Sequence, residues 1–275
     1  MQNIMCKTLQ NGVIIPSVGL GVFQIENGPV AEQAIRSALD VGYRHIDTAR
    51  AYRNEESVGN AVRESGIARD EIFVTTKLWN SDVREGRTRA ACEESLKRLN
   101  IDYIDLYLIH WPAEGFEDAW LEMEKLYQEG KLRAIGVSNF HDHHIESLMK
   151  KATITPMVNQ VECHPLLSQK PLRAYCEAKG IFCQAWSPLG GTGGNLLDHP
   201  ALRVLALRYN KSVAQIVLRW DIQGGLITLP KSVHPERIAA NIDIFDFELS
   251  DEDMAAIDAL NEDRRVGPDP DHFNF

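Results

Sequence analysis

Residues 17–28 read SVGLGVFQIENG, an apolar run of strand length that carries glycines at 19 and 21 and leads into a helical pattern. A doubly wound α/β sheet that binds a dinucleotide carries G-x-G-x-x-G at its first strand–helix turn, where the glycines let the backbone approach a pyrophosphate. Here the third glycine is missing from its required place, and no other part of the chain supplies the pattern. GGTGG at 190–194 fails the spacing, and no G-x-x-x-x-G-K-[ST] phosphate loop occurs. An open doubly wound sheet therefore lacks its signature, and the order of the elements decides the fold.

That order is regular. After the first run come YRHIDTA, EIFVTTKLW, YIDLYLIHW, LRAIGVSNF, PMVNQVECH, IFCQAWSPL and LITLPKS. Each has strand length, and several are rich in Val, Ile, Thr and aromatic residues. Amphipathic stretches such as TRAACEESLKRLN separate them; in VAEQAIRSALDVG, Ala31, Ala34, Ile35, Ala38 and Leu39 recur at helical spacing on one face. Eight strand–helix units without a break in composition predict an α/β protein, one (β/α)8 TIM-barrel domain over residues 1–275. Upstream, KTLQNGVII sets Asn11-Gly12 between apolar runs, which predicts an N-terminal β-hairpin covering the barrel bottom. Downstream, SDEDMAAIDALNE predicts one extra C-terminal helix, with Ser250 and Asp253 as a capping box in which Asp replaces the usual Glu.

Composition narrows the function classes. The 275 residues are 44% hydrophobic and 25% charged, as in a soluble globular protein with a large core. The net charge of -10 is spread along the chain and provides no basic face for nucleic acid. No apolar run approaches a membrane span, and the opening MQNIMCKTLQNGV lacks the apolar segment of a secretory signal. The five cysteines (Cys6, Cys92, Cys163, Cys176, Cys183) are odd in number and form no C-x-x-C pair. Reduced thiols in a cytoplasmic protein are the expectation.

Polar residues then mark one rim. In a barrel the βα loops at the C-terminal strand ends build the site. Asp47 ends the second run, Lys77 the third and His110 the fourth, while Tyr52 lies on the loop just past Asp47. Each has a bland alternative: a turn cap for Asp47, packing for Tyr52, a backbone-bonded core residue for His110. Lys77 inside FVTTKLW is harder to dismiss, because a lysine at a buried strand end is uncommon without a partner. Together they point to proton donation. A free phenol has a pKa near ~10, too weak an acid for an alkoxide forming at neutral pH. An adjacent ammonium lowers that value, and a carboxylate holds the ammonium in place. A histidine beside them can hydrogen-bond and orient a substrate carbonyl.

These residues sit in motifs that resemble the aldo-keto reductase family. GYRHIDTARAYRNEESVG (42–59) is similar to its first signature, KLRAIGVSNF (131–140) to a second and LPKSVHPERIAAN (229–241) to a third, with NQVECHP and WSPLG between them in the family's order. The short HWPAEGFEDAW connection is similar to 2,5-diketo-gluconate reductase and prostaglandin F synthase-type members. The resemblance implies a (β/α)8 barrel binding NADPH in extended form, without a Rossmann domain. It also implies reduction of aldehydes, dicarbonyls or keto-sugars to alcohols by a usually monomeric enzyme that needs no metal. The catalytic tetrad carries over to Asp47, Tyr52, Lys77 and His110, with Tyr52 the general acid. Ser138, Asn139 and Gln160 would hold the nicotinamide carboxamide, with Trp186 stacked on its ring. Ser187 and Leu189 would line the pyrophosphate path. Lys231, Ser232 and Arg237 would surround the 2′-phosphate, favouring NADPH over NADH, and Asn241 would reach the adenine.

Two positions depart from the family pattern. Ala240 stands where many members have a glutamate at the adenine, and GGTGG is richer in glycine than the usual loop, which would loosen the pyrophosphate cover. Phe23, Trp79 and Trp111 would wall the substrate carbonyl, and the tail DPDHFNF would fold over the same mouth. HDHHIE (141–146) invites a metal site, but no Cys, Asp or Glu accompanies it at ligand spacing, so a solvated helix start is expected. Cys163 is expected to be buried rather than nucleophilic. Two rivals keep the barrel: a cofactor-binding regulatory subunit with little turnover, and a lyase or isomerase using Lys77 as a Schiff base.

Overall fold

The computed structural model describes residues 5–191, 193 and 195–275. Strands β1 (Cys6–Thr8) and β2 (Ile14–Pro16) pair antiparallel, with Thr8 opposite Ile14. The turn between them has Leu9 N donating to Val13 O at 2.8 Å and Gly12 at φ 84°, a value glycine adopts without Cβ strain. The expected hairpin is present, with a loop longer than two residues.

Eight parallel strands follow in chain order: β3 (Leu20–Gly21), β4 (His45–Asp47), β5 (Phe73–Leu78), β6 (Ile104–Ile109), β7 (Leu132–Ser138), β8 (Val158–Glu162), β9 (Phe182–Trp186) and β10 (Ile227–Thr228). Each pairs with its sequence neighbours. The ring closes where Thr228 N donates to Ser17 O at 2.8 Å and Gly19 N to Thr228 O at 3.0 Å. Around it lie α1 (Pro29–Asp40), α2 (Glu55–Glu64), α3 (Asn80–Arg84), α4 (Thr88–Leu99), α5 (Phe116–Gln128), α6 (Asp142–Met149), α7 (Lys170–Ala178), α8 (Pro200–Tyr209), α9 (Val213–Gln223), α10 (Pro235–Ile242) and α11 (Asp251–Asp258). The apolar stripe of α1 is buried as its spacing predicts.

Helices beyond one per strand exceed the sequence count. Between β9 and β10 the chain makes both α8 and α9, and the one-turn α3 precedes α4. Helix α8 leaves Val204 and Leu207 exposed, so its apolar pattern does not announce a separate amphipathic unit. The extra C-terminal helix is α11. Its cap is half a box: Asp253 N donates to Ser250 Oγ at 3.2 Å, while the Asp253 carboxylate is taken by Arg208 and by Tyr209 Oη.

Alternation along the strands divides the core in two. Outward residues such as Val74, Leu78, Tyr107 and Ile109 pack on the helices. Inward residues Phe73, Leu106, Leu108, Ala134 and Val158 join Leu9 and Ile15 of the hairpin in a second cluster, so the hairpin plugs the bottom. Gly136 is inward on β7, where an added Cβ would lie 2.5 Å from Val158 O and 2.8 Å from Leu108 Cδ2. Among the described residues, no helix is long and apolar enough to cross a membrane.

Gly136→Ala should destabilise the barrel by about 1–3 kcal/mol, the usual cost of overpacking a filled core. A fall in urea midpoint against wild type checks this; an unchanged midpoint would mean that the interior relaxes freely.

Candidate active site

Inside the barrel the inward residues become more polar toward the C-terminal rim. On β5 they run Phe73, Thr75, Lys77; from β6 onward Leu106, Leu108, His110; on β8 Val158, Gln160, Glu162. Strand pairing puts Asp47 opposite Thr75 and Lys77 opposite Leu108, so β4, β5 and β6 deliver neighbouring side chains. Tyr52 arrives on a 3-10 turn after β4 (Arg50–Tyr52). That loop is fastened by Asn54, which accepts from Thr48 Oγ1 at 2.7 Å and donates to Val22 O and Ile25 O at 2.9 Å each.

Lys77 is 0% exposed, and its ammonium donates in three directions. Nζ is 2.7 Å from Asp47 Oδ1, 2.8 Å from Thr48 O and 3.4 Å from Tyr52 Oη. An amine so engaged offers no lone pair to a carbonyl carbon, which argues against Schiff-base chemistry. Burial pulls Lys77 below the ordinary lysine range, and the attraction and hydrogen bond of Asp47 oppose it. His110 lies edge-on to Tyr52 with ring centroids 5.7 Å apart. Burial, aided by the Lys77 charge, holds its pKa well below the usual histidine value, so the imidazole is neutral near pH 7.

Tyr52 corrects one expectation. Its phenol is held well above the ordinary tyrosine range, first by burial and then by the Asp47 charge, rather than lowered by Lys77. The ammonium makes its two shorter bonds to Asp47 and Thr48, and the carboxylate offsets its field at Oη. Tyr52 therefore carries its proton at rest, as a donor must.

The amide residues gather beside this group. Ser138 Oγ donates to Gln160 O at 2.8 Å, and Asn139 Nδ2 donates to His110 O at 3.0 Å and Ser138 Oγ at 3.2 Å. Gln160 Nε2 donates to Asp47 Oδ2 and to Gln184 Oε1, both at 2.7 Å. Trp186 Nε1 donates to Asn139 Oδ1 at 2.8 Å, which fixes the half-buried indole against the amides. Asn139 at φ 63° and Ser187 at φ 48° both turn left-handed directly after their strands, a local strain typical of functional rims. Buried Glu162 accepts from Val266 N at 2.6 Å and Gly267 N at 3.0 Å. A Cβ on Gly267 would stand 2.4 Å from Trp186, so this close pass requires glycine.

Lys231 and Arg237 are exposed near the start of α10, and neither has an ion-pair partner among the described residues; Ser232 and Asn241 are buried beside them. Two cations without a carboxylate partner at a helix N-terminus fit a phosphate dianion. Hydroxyl, amide and indole groups at the rim fit a carboxamide-bearing ring. The donor set is thus suited to a phosphorylated dinucleotide. Leu189 packs on the core, and Ala240 is half-buried. Of the glycine-rich loop, Thr192 and Gly194 lie outside the described residues, as do residues 1–4 of the opening segment.

The expected aromatic wall assembles, with the tail as part of it. Phe23, 54% exposed, meets Tyr52 at 4.9 Å between centroids, and Trp79 meets His110 at 5.2 Å. Trp111 contacts Phe273 and Phe275 of the tail, both at 5.2 Å, and Phe275 stacks on Trp79 at 5.9 Å. Cys163 is buried, and burial raises its thiol pKa far above the nucleophilic range. The HDHHIE segment differs from a purely solvated helix start, because Asp271 of the tail lies among its three rings and His144 packs on Phe116 and Phe140. Thr48, Gln184 and Glu162 had no signal of their own in the sequence; an inward polar residue next to the rim is the only mark they carry.

The family model described as Aldo/keto reductase family matches residues 17–262. The chain is 57% identical over 268 residues to a glyoxal reductase of Bacillus subtilis strain 168, covering 97% of this chain and 96% of that protein. It is 46% identical over 276 residues to a methylglyoxal reductase of Escherichia coli strain K12, covering 99% of each. Among solved structures, an aldo-keto reductase of Bombyx mori in complex with NADP superposes with a TM-score of 0.91 at 42% identity, covering 98% of this chain and 97% of that one.

Buried His45 bears on acid stability. Its Nε2 is 3.0 Å from Thr75 Oγ1, and burial lowers its pKa from 6.5 to about 4. Between those values the unfolded chain binds more protons than the folded one, so stability falls as pH drops through the window. At about 1.4 kcal/mol per pH unit, moving from pH 7 to pH 5 should cost about 2 kcal/mol from this residue alone. His110 adds in the same direction. Buried Asp221, raised to about 8, acts in the opposite direction over the same range, so the loss is read as a difference: by urea midpoints, His45→Gln should lose about 2 kcal/mol less than wild type between pH 7 and pH 5.

Proposed function

The chain belongs to the aldo/keto reductase family, and we propose that it reduces small reactive aldehydes and dicarbonyls with NADPH at the rim built by Asp47, Tyr52, Lys77 and His110. It is an NADPH-dependent oxidoreductase acting on carbonyl groups, and the relatives named for glyoxal and methylglyoxal support dicarbonyls as its substrates. The observation that carries the site assignment is the ammonium of Lys77 bridging Asp47 at 2.7 Å and Tyr52 at 3.4 Å next to a neutral imidazole.

Bound NADPH supplies the hydride. The chain's own residues do the rest. Neutral His110 donates a hydrogen bond to the carbonyl oxygen and aims it at Tyr52. As negative charge develops on that oxygen, Tyr52 Oη gives up its proton to it. Lys77 stabilises the phenolate left behind, and its pull grows at that moment because Oη has become an anion. Asp47 keeps Lys77 charged. Trp186 offers its indole face to the nicotinamide, with Asn139 fixing the ring, and Ser138, Asn139 and Gln160 hold the carboxamide. Ser187 and Leu189 line the pyrophosphate path. Lys231, Ser232 and Arg237 grip the 2′-phosphate, and Asn241 the adenine. Phe23, Trp79 and Trp111 enclose the substrate and exclude water. A monomer in the cytoplasm completes the proposal.

Tyr52→Phe should keep NADPH binding and lower methylglyoxal reduction by about 10²–10⁴-fold, the usual worth of a positioned acid. Turnover that survives would remove Tyr52 as the proton donor. Tight NADPH binding with negligible turnover by the wild type across a carbonyl panel would instead indicate a regulatory binder. Lys231→Ala with Arg237→Ala should weaken NADPH binding by roughly tenfold or more while leaving NADH binding nearly unchanged, since each charged hydrogen bond is worth about 1.5–3 kcal/mol. Equal losses for both nucleotides would place the 2′-phosphate elsewhere.

A further inference from the structure

His141, His143 and His144 lie where β7 hands over to α6, and the folded tail brings Asp271 into their midst. One ligand atom from each of the four lies within 4.8 Å of every other. The carboxylate is the hub. Oδ2 is 2.9 Å from His141 Nδ1; Oδ1 is 3.0 Å from His143 Nε2 and 3.3 Å from His144 Nε2. The His143 and His144 rings are only 4.0 Å apart between centroids. Three imidazoles converging on one half-exposed carboxylate are more than a surface ion pair calls for.

We propose that His141, His143, His144 and Asp271 form a binding site for a divalent transition-metal ion of the zinc, cobalt or nickel kind. Three imidazole nitrogens and one carboxylate oxygen are a donor set that such ions take in tetrahedral sites. With metal–ligand bonds of about 2.1 Å, ligand atoms stand about 3.4 Å apart. The three contacts to Asp271, one at Oδ2 and two at Oδ1, are within about half an ångström of that spacing, while ligand atoms as much as 4.8 Å apart must still draw together around the ion.

The rings differ in readiness. His143 presents Nε2 to Asp271 and holds Nδ1 3.5 Å from Asp142 Oδ1, the carboxylate contact that orients a metal-bound histidine from behind. The other two must exchange bonds. His141 N donates to His144 Nδ1 at 3.1 Å, and Arg265 Nη2 donates to His141 Nε2 at 3.0 Å. Each of these rings therefore keeps its proton on the nitrogen facing Asp271. Metal binding there moves that proton to the ring's other nitrogen and gives up the bond it accepted. Affinity is accordingly lower than that of a preformed zinc site.

The consequence is a clip. Asp271 precedes Phe273 and Phe275, whose rings cover Trp111 and Trp79, while His141 follows Asn139 by two residues. A bound ion would tie the tail to the start of α6 without touching the reacting groups.

The full chain, freed of metal with a chelator, is titrated with Zn²⁺ by calorimetry and with Co²⁺ by visible absorption. One equivalent should bind, with the intense d–d bands of a tetrahedral Co²⁺ site. His143→Ala and Asp271→Asn change half-exposed or exposed side chains and leave the fold intact; each should weaken binding tenfold or more. His234→Ala, on the far side of the mouth at the start of α10, should not. Zn²⁺ should also slow amide exchange over residues 265–275 in wild type and fail to do so in Asp271→Asn. Absence of saturable binding by the wild type, binding that survives both substitutions, or an equal loss in His234→Ala would each overturn the proposal.

Discussion

Everything at the barrel mouth is organised around one buried ion pair. A lysine ammonium with no solvent contact is tenable only if its charge is answered, and Asp47 answers it at 2.7 Å with Thr48 O accepting a second hydrogen bond. That requirement sets the rest. Asp47 must lie inward on the strand next to Lys77, and the β4–β5 register sets it opposite Thr75, one inward position below Lys77, within reach of the ammonium. Its second oxygen must also be satisfied, and Gln160 reaches across the barrel to do so. The residue proposed to touch the cofactor amide is therefore also part of the scaffold of the proton-donating group.

The far wall is tied to this centre by a chain of polar contacts. Gln184 accepts from Gln160, Asn139 holds the His110 carbonyl, and Trp186 leans on Asn139. Glu162 then collects the backbone of Val266 and Gly267 and brings the C-terminal segment against Trp186. From there the chain runs to Phe273 and Phe275 over the mouth. The proposed cofactor platform and the substrate cover thus share one backbone anchor at the end of β8. Displacement of either would be felt by the other through packed contacts.

Much of this could be read from local pattern. The strand runs, the α1 stripe, the hairpin turn and the polar strand ends all reflect interactions between residues a few positions apart or on one face, where periodicity is direct evidence. Lys77 stood out because lysine in a β-branched run has no local explanation. Helix α8 escaped because its exposed Val204 and Leu207 blur the amphipathic period. The companionship of Asp271 with HDHHIE escaped because spacing along the chain says nothing about a partner 130 residues away. The direction of the Tyr52 shift was misjudged for a related reason: a neighbouring cation was counted, but not the carboxylate that offsets it or the loss of solvent.

Chain order and residue type alone were enough for the barrel, its plugged bottom, the four polar groups of one rim and the family likeness, since each follows from periodicity and from motifs contiguous in the sequence. Three-dimensional packing had to add which oxygen of Asp47 serves Lys77 and which serves Gln160, how the C-terminal segment is moored by Glu162, and which carboxylate joins the three histidines. Those outcomes depend on distances and burial between segments far apart in the chain, and electrostatic energies inside a protein are set by these two quantities far more than by sequence separation.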